Sequence, residues 1–189
     1  MRKTLISQLT AYTPYNEQEN RDKETILHML KTQEDIFLRS NLLAHMTASA
    51  WVQDFEHRHI LMAYHNIYHS WAWLGGHADG NENLLQVAIK EVREESGIRN
   101  VRPVSDNIFS IEVLTVDGHE KKGIYVPSHL HLNVTYLLEA DREESVRVKA
   151  DENSAVGWFA PQEAVEKSCE PWFRERIYSK LNAKIIQLA

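Results

Sequence analysis

Only one cysteine, Cys169, occurs in 189 residues. No disulfide can form within the chain, so packing and hydrogen bonds have to hold the fold, as suits a reducing cytoplasm. Glycine and proline are sparse, with 7 and 5 residues, which excludes a collagen-like or low-complexity chain and lets each glycine be read for its position. Apolar runs long enough to span a bilayer are missing. After Met1-Arg2-Lys3, the stretch Thr4–Thr10 is too short and too polar for the core of a secretory signal. Positive charge is not in excess either: 21 Lys and Arg stand against 27 Asp and Glu, a formal net charge of -6. The chain as a whole therefore does not attract a nucleic-acid backbone, and a phosphorylated ligand would need local cations.

What is present is a globular composition, 43% apolar, enough for one sizeable core. Residues 1–44 lack strand-like alternation. Ile26, Leu27 and Leu30, then Ile36 and Phe37, recur at spacings that suit short amphipathic helices. This stretch mixes basic residues (Arg2, Lys3, Arg21) evenly with acidic ones (Glu17, Glu19, Asp22), so it is not a basic arm. From residue 45 the character changes. Met46–Val52 and His59–Tyr64 read as a hairpin, Trp71–Leu74 as a third strand running into Gly75-Gly76, and further strands are expected at Ile108–Val116, His129–Glu139 and Val156–Phe159. Ile177, Leu181, Ile185 and Ile186 point to a helical C-terminus.

Between these strands, Leu84, Leu85, Ala88, Ile89 and Val92 fall on one side of a helix over 83–96 that Gly97 is suited to end. Glu91, Glu94 and Glu95 stand at i, i+3 and i+4 on that helix. Like charges at these spacings cost about 0.2 to 0.5 kcal/mol per pair, and Glu94 and Glu95 also face the negative end of the helix dipole. A hard divalent cation would offset this, because magnesium and manganese prefer oxygen ligands. The alternative is a solvated acidic face softened by Lys90 and Arg93.

The spacing around the helix decides between them. Gly76, five residues, Glu82, seven residues, then Lys90-Glu91-Val92-Arg93-Glu94-Glu95-Ser96-Gly97-Ile98 resembles the Nudix box, with Lys90 where the family pattern has arginine. The approach Trp71-Ala72-Trp73-Leu74-Gly75-Gly76-His77 is also similar to that of many family members, with Leu74 in place of a frequent proline. The resemblance implies an α/β fold, a Nudix-type α/β/α sandwich with a mixed sheet. Residues 1–44 would form a helical extension and residues 45–189 the hydrolase domain.

The implied activity is cleavage of the phosphoanhydride in a nucleoside diphosphate derivative or a related small phosphorylated molecule, with Mg2+ or Mn2+. By the resemblance, Glu91, Glu94 and Glu95 are metal ligands, the Gly75 carbonyl is an additional one, and Glu82 supports the network. Glu91 or Glu152 would take the proton of the attacking water. His129 and His131 alternate on one strand face and, with Lys90, are candidates for contacting substrate phosphate; the two histidines are equally suited to a metal. Trp51, Trp71, Trp73 and Tyr64 are suited to core packing or to stacking on a base. No nucleic acid or membrane partner is expected. The N-terminal helices would cap the pocket or join two copies in a homodimer. Two other readings compete: a Nudix-like nucleotide-binding module without turnover, which retention of all the box acids disfavours, and a diphosphate isomerase, which the position of Cys169 outside the expected strands disfavours.

Overall fold

The computed structural model describes residues 1–121 and 123–188. The chain begins with α1 (Arg2–Ala11) and α2 (Glu17–Thr32), followed by β1 (Ala44–Asp54), β2 (Ile60–His65), β3 (Ser70–Ala72) and β4 (Leu74–His77). Next come α3 (Leu84–Ser96), β5 (Val101–Pro103), β6 (Ser110–Val116), β7 (His119–Lys121), β8 (Ile124–Val126) and β9 (His129–Ala140). The last elements are β10 (Asn153–Phe159), α4 (Pro161–Lys167), a π-helical turn (Phe173–Tyr178) and α5 (Ser179–Leu188).

β1 and β9 run parallel from Ala44 opposite Leu130 to Asp54 opposite Ala140 and form the middle of an eight-stranded sheet. The order is β10-β2-β1-β9-β5, with β3 on β2, β4 on β1 and β6 on β9. Every neighbour other than the β1–β9 pair is antiparallel, so the sheet is mixed. β7 and β8 make a separate hairpin. All of β1 is buried, as expected of a central strand covered on both faces.

Alternation along β1 sorts the two layers. Ala44, Met46, Ala48, Ala50 and Val52 face α3, where Leu84, Val87, Ala88 and Val92 close one core. Trp51 points to the other face, into a second core with Leu137, Val165, Ile177, Tyr178 and Leu181 from β9, α4, the π-turn and α5. Helices thus cover both faces, giving an α/β/α sandwich around a mixed sheet.

The N-terminal helices are built into this body. Asn16 caps α2 by accepting the Glu19 N–H at 2.9 Å, and Leu5, Leu9, Ile26 and Leu30 enter the same core as α3 and the sheet. Ile36 and Phe37 join them, but from a turn and not from the helix that their spacing suggests. The turn is pinned by backbone bonds: the Met46 N–H donates to the Ile36 carbonyl and the Gly80 N–H to that of Phe37, both at 2.8 Å. A charged cluster locks the two ends of the chain together. Lys180 Nζ lies 3.1 Å from Glu19 and 3.0 Å from Glu112, and Lys184 Nζ lies 3.0 Å from Glu19. Such burial is tolerated because each charge has an opposite partner.

Candidate active site

Asn83 starts α3 by accepting the Gln86 N–H at 3.2 Å, and Gly97, in the left-handed region at φ 76°, ends it with its N–H on the Arg93 carbonyl. With the apolar stripe on the sheet, Glu91 and Glu95 fall at its edge and are drawn in to 8% and 5% exposure, while Glu94 stays exposed. β4 passes beside them. A Cβ on residue 76 would sit 2.6 Å from Glu91 Cδ and 2.9 Å from both its oxygens, so glycine is what lets this carboxylate lie against the strand. The neighbouring Gly75 N–H donates to Glu95 Oε1 at 3.0 Å.

The acids crowd one another. Burial, with Glu91 and Glu152 adding repulsion, pushes the Glu95 carboxyl up to about 8 against the pull of the Gly75 N–H and Lys149. Burial likewise raises Glu91, against Lys90 and Lys149. Lys90 Nζ stands 3.4 Å from Glu91 Oε1 and 3.3 Å from Glu94 Oε1. It therefore touches two box acids, as a point charge and not a fork. Lys149 Nζ reaches Glu152 at 2.8 Å and Glu94 at 3.6 Å.

The segment before β10 is laced to the end of α3. The Arg147 N–H donates to the Ser96 carbonyl at 2.7 Å, and Asn153 Nδ2 to the Glu95 carbonyl at 3.3 Å. This brings Glu152, 57 positions beyond Glu95 in the chain, to the box. Glu91, Glu94, Glu95, Glu152, Lys90 and Gly75 thus share one site. Lys149 is there as well and is not foreseen from the sequence; its signal is a lysine three residues before Glu152, the spacing of an ion pair on one turn. Glu82 is turned elsewhere, accepting the Arg2 N–H at 2.7 Å beside a cavity of about 200 Å³ along α1.

His129 and His131 lie together on β9, Nε2 to Nε2 at 3.2 Å. His131 is the register partner of His45 on β1, and the rings of His77 and His131 stand 4.9 Å apart. Burial and the surrounding imidazoles hold His131 down to about 2. Of the aromatics, Trp51 is fully buried and stacked on Tyr178 at 5.3 Å, while Trp71 packs edge-on to Tyr64 and Phe159. Cys169 is exposed, with Sγ 3.4 Å from the His69 carbonyl. Among the described residues, no helix is long and apolar enough to cross a membrane.

Comparisons with known proteins agree with this architecture. The bis(5'-nucleosyl)-tetraphosphatase [asymmetrical] of Mus musculus is 28% identical over 108 residues, 57% of this chain and 66% of that protein. Its Rattus norvegicus counterpart is 27% identical over the same shares. The match therefore spans slightly less than two thirds of these relatives. Among solved structures, a C. elegans Ap4A hydrolase binary complex superposes with a TM-score of 0.55 at 19% identity, covering 76% of this chain and 96% of that one. A NUDIX family hydrolase from Clostridium perfringens gives 0.53 at 18% identity, covering 77% and 98%. At such identities the likeness is one of fold. The NUDIX domain pattern matches residues 43–181, most of the chain and all of the box, and the protein belongs to the NUDIX domain family.

Proposed function

We propose that this protein is a Nudix pyrophosphohydrolase that cleaves the phosphoanhydride of a nucleoside diphosphate derivative with magnesium or manganese. The observation that carries this reading is the convergence of Glu91, Glu94, Glu95 and Glu152 on one edge of α3. Glu91 is cradled by Gly76, and burial, with the Glu91 and Glu152 carboxylates adding to it, pushes Glu95 up to about 8. The donors are all hard oxygens, which fits magnesium or manganese better than a softer ion. Glu91, Glu94 and Glu95 would hold the metal, with the Gly75 carbonyl as an additional donor. When bound, it would polarise the phosphate oxygens and ease ionisation of the attacking water.

The chain's own groups supply the rest. Lys90, paired with Glu91 and Glu94, would also steady negative charge on the diphosphate oxygens. The Gly75 N–H orients Glu95. Glu152, half-buried and steered by Lys149 at 2.8 Å, takes the proton from the attacking water; Glu91 and Glu95 are less suited because they would be holding the metal. Attack at phosphorus then expels the other phosphate. Because the mouse and rat relatives are bis(5'-nucleosyl)-tetraphosphatases, dinucleoside polyphosphates are the first substrates to try. We further place the activity in the cytoplasm, on the single cysteine, and assign residues 1–44 as an extension that covers the domain or joins a homodimer.

The test is product release from dinucleoside polyphosphates, nucleotide sugars, ADP-ribose and nucleoside triphosphates, with magnesium, with manganese and with chelator. Metal-dependent cleavage, abolished in Glu95→Gln, is expected. Cleavage that survives both chelation and Glu95→Gln would overturn the proposal. Nucleotide binding without any turnover would instead favour a binding module.

A further inference from the structure

The mechanism above leaves a cluster of four histidines without a role. We propose that His45, His77 and His131 bind one zinc-class transition metal ion, at a site separate from the box carboxylates, with His129 as the adjoining fourth imidazole. The three residues come from β1, β4 and β9, and one nitrogen of each lies within 4.8 Å of the others. Tetrahedral zinc, about 2.0 to 2.1 Å from each ligand nitrogen, needs those nitrogens roughly 3.4 Å apart. Binding the ion would therefore draw the set together by up to about 1.4 Å.

Two observations beyond proximity point to a ligand. His45 Nδ1 lies 3.1 Å from the Asn41 carbonyl, and a carbonyl only accepts, so the hydrogen is on Nδ1 and the lone pair on Nε2. That Nε2 is buried, on a side chain only 4% exposed overall, and has no hydrogen-bond partner among the described residues. A buried lone pair without a donor is costly, and a metal ion would satisfy it. His129 repeats the pattern, with Nδ1 2.8 Å from the Pro127 carbonyl, leaving its Nε2 lone pair toward His131. A backbone carbonyl behind the far ring nitrogen is how protein metal sites commonly fix an imidazole's tautomer and direction.

The sheet separates this cluster from the carboxylates. Ala44 and Met46 face α3 and His45 the opposite side. A Cβ on Gly76 points at Glu91, so the next side chain along β4, that of His77, points to the opposite face. An imidazole-only set selects zinc, copper, nickel or cobalt over magnesium and manganese. The ion would join β1, β4 and β9 and fasten β4, only four residues long, directly beside Gly75 and Gly76.

Protein stripped with chelator is titrated with cobalt(II) in excess magnesium, then challenged with zinc. One equivalent of cobalt per chain should bind, with the visible absorption of a nitrogen-ligated ion in four- or five-fold coordination, and zinc should displace it. His45→Ala and His131→Ala should each weaken binding at least about a hundredfold, the upper range for loss of even an outer partner, while Glu95→Gln should leave it unchanged. His77→Gln serves as a second probe if an alanine variant fails to fold, which circular dichroism would reveal. Absence of stoichiometric binding, binding indifferent to His77→Gln and His131→Ala, or binding lost in Glu95→Gln would each overturn the proposal. None of these readouts depends on turnover, so the site and the hydrolase reading can fail separately.

Discussion

Gly76→Ala should separate activity from stability, and the structure says by how much. The new Cβ would arrive 2.6 Å from Glu91 Cδ, where ordinary contact begins at 3.4 Å, so the carboxylate must retreat by about 0.8 Å. What has to move is the end of a flexible side chain, and the strand can stay in place. Folding free energy should therefore change by less than about 1 kcal/mol. Catalysis is less forgiving, since a misplacement of about 1 Å can cost on the order of a hundredfold in rate, or about 2.7 kcal/mol of barrier. Gly75→Ala is the control. Its Cβ would fall 2.6 Å from the Ala48 carbonyl oxygen and 2.8 Å from Ser49 Cα. These are backbone atoms of β1, so the β1–β4 pairing must shift at a cost of about 1 to 3 kcal/mol. Urea unfolding and steady-state kinetics on the best substrate of the panel measure both variants. Wild-type kcat in Gly76→Ala, or a stability loss as large as that of Gly75→Ala, would refute the reasoning.

Glu94→Gln and Glu95→Gln should each lower turnover more than about a hundredfold with the fold intact, checked by kinetics and circular dichroism; full activity in either would contradict the assigned site. Acid should weaken the clasp between the chain's ends. Burial alone would raise Glu19, but Lys180 and Lys184, with bonds from Tyr12 and Tyr15, hold it at about 2 against an ordinary 4.5. The unfolded chain therefore binds more protons between these values. The contribution, about 3 kcal/mol, is complete above pH 4.5 and lost as pH falls toward 2, with about 2 kcal/mol gone by pH 3. The stability gap between wild type and Glu19→Gln should narrow accordingly in urea titrations at pH 5, 4 and 3; a constant gap would count against the clasp. Trp51→Ala, which empties a fully buried site stacked on Tyr178, should cost about 3 to 5 kcal/mol by thermal unfolding.

Where one rule governs a segment, the sequence is readable. α3 carries a regular apolar stripe and ends at a glycine, and it forms over Leu84–Ser96 as its spacing suggests. β1, β2, β9 and β10 likewise lie where apolar and β-branched runs place them. Segments ruled by distant partners are harder to read. Ile36 and Phe37 have helical spacing, yet the turn they occupy is set by backbone bonds to Met46 and Gly80. The strand expected over Trp71–Leu74 is divided at Trp73, because its first part pairs with β2 and its second with β1. β5 is a strand only because β9 is long enough to offer Leu138 to Ala140 as partners. No local pattern announces such pairings.

The same division runs through the site. Glu91, Glu94 and Glu95 are legible because one helix spaces them. Lys149 is not, because its approach to Glu94 depends on Arg147 and Asn153 gripping the last turn of α3. This bears on the lysine that stands where the family pattern has arginine. An arginine could brace two carboxylates with one planar group; Lys90 cannot, and here a second cation stands at the other oxygen of Glu94. Glu94 thus sits between two point charges. The bracing that a single fork could provide is divided between a residue of the box and one 59 positions downstream. Lys90→Arg should therefore be tolerated in the wild-type chain and should restore part of the turnover lost in Lys149→Ala, measured as a double-mutant cycle on kcat/KM. Additive losses, with no rescue by the arginine, would mean that Lys149 acts on Glu152 alone.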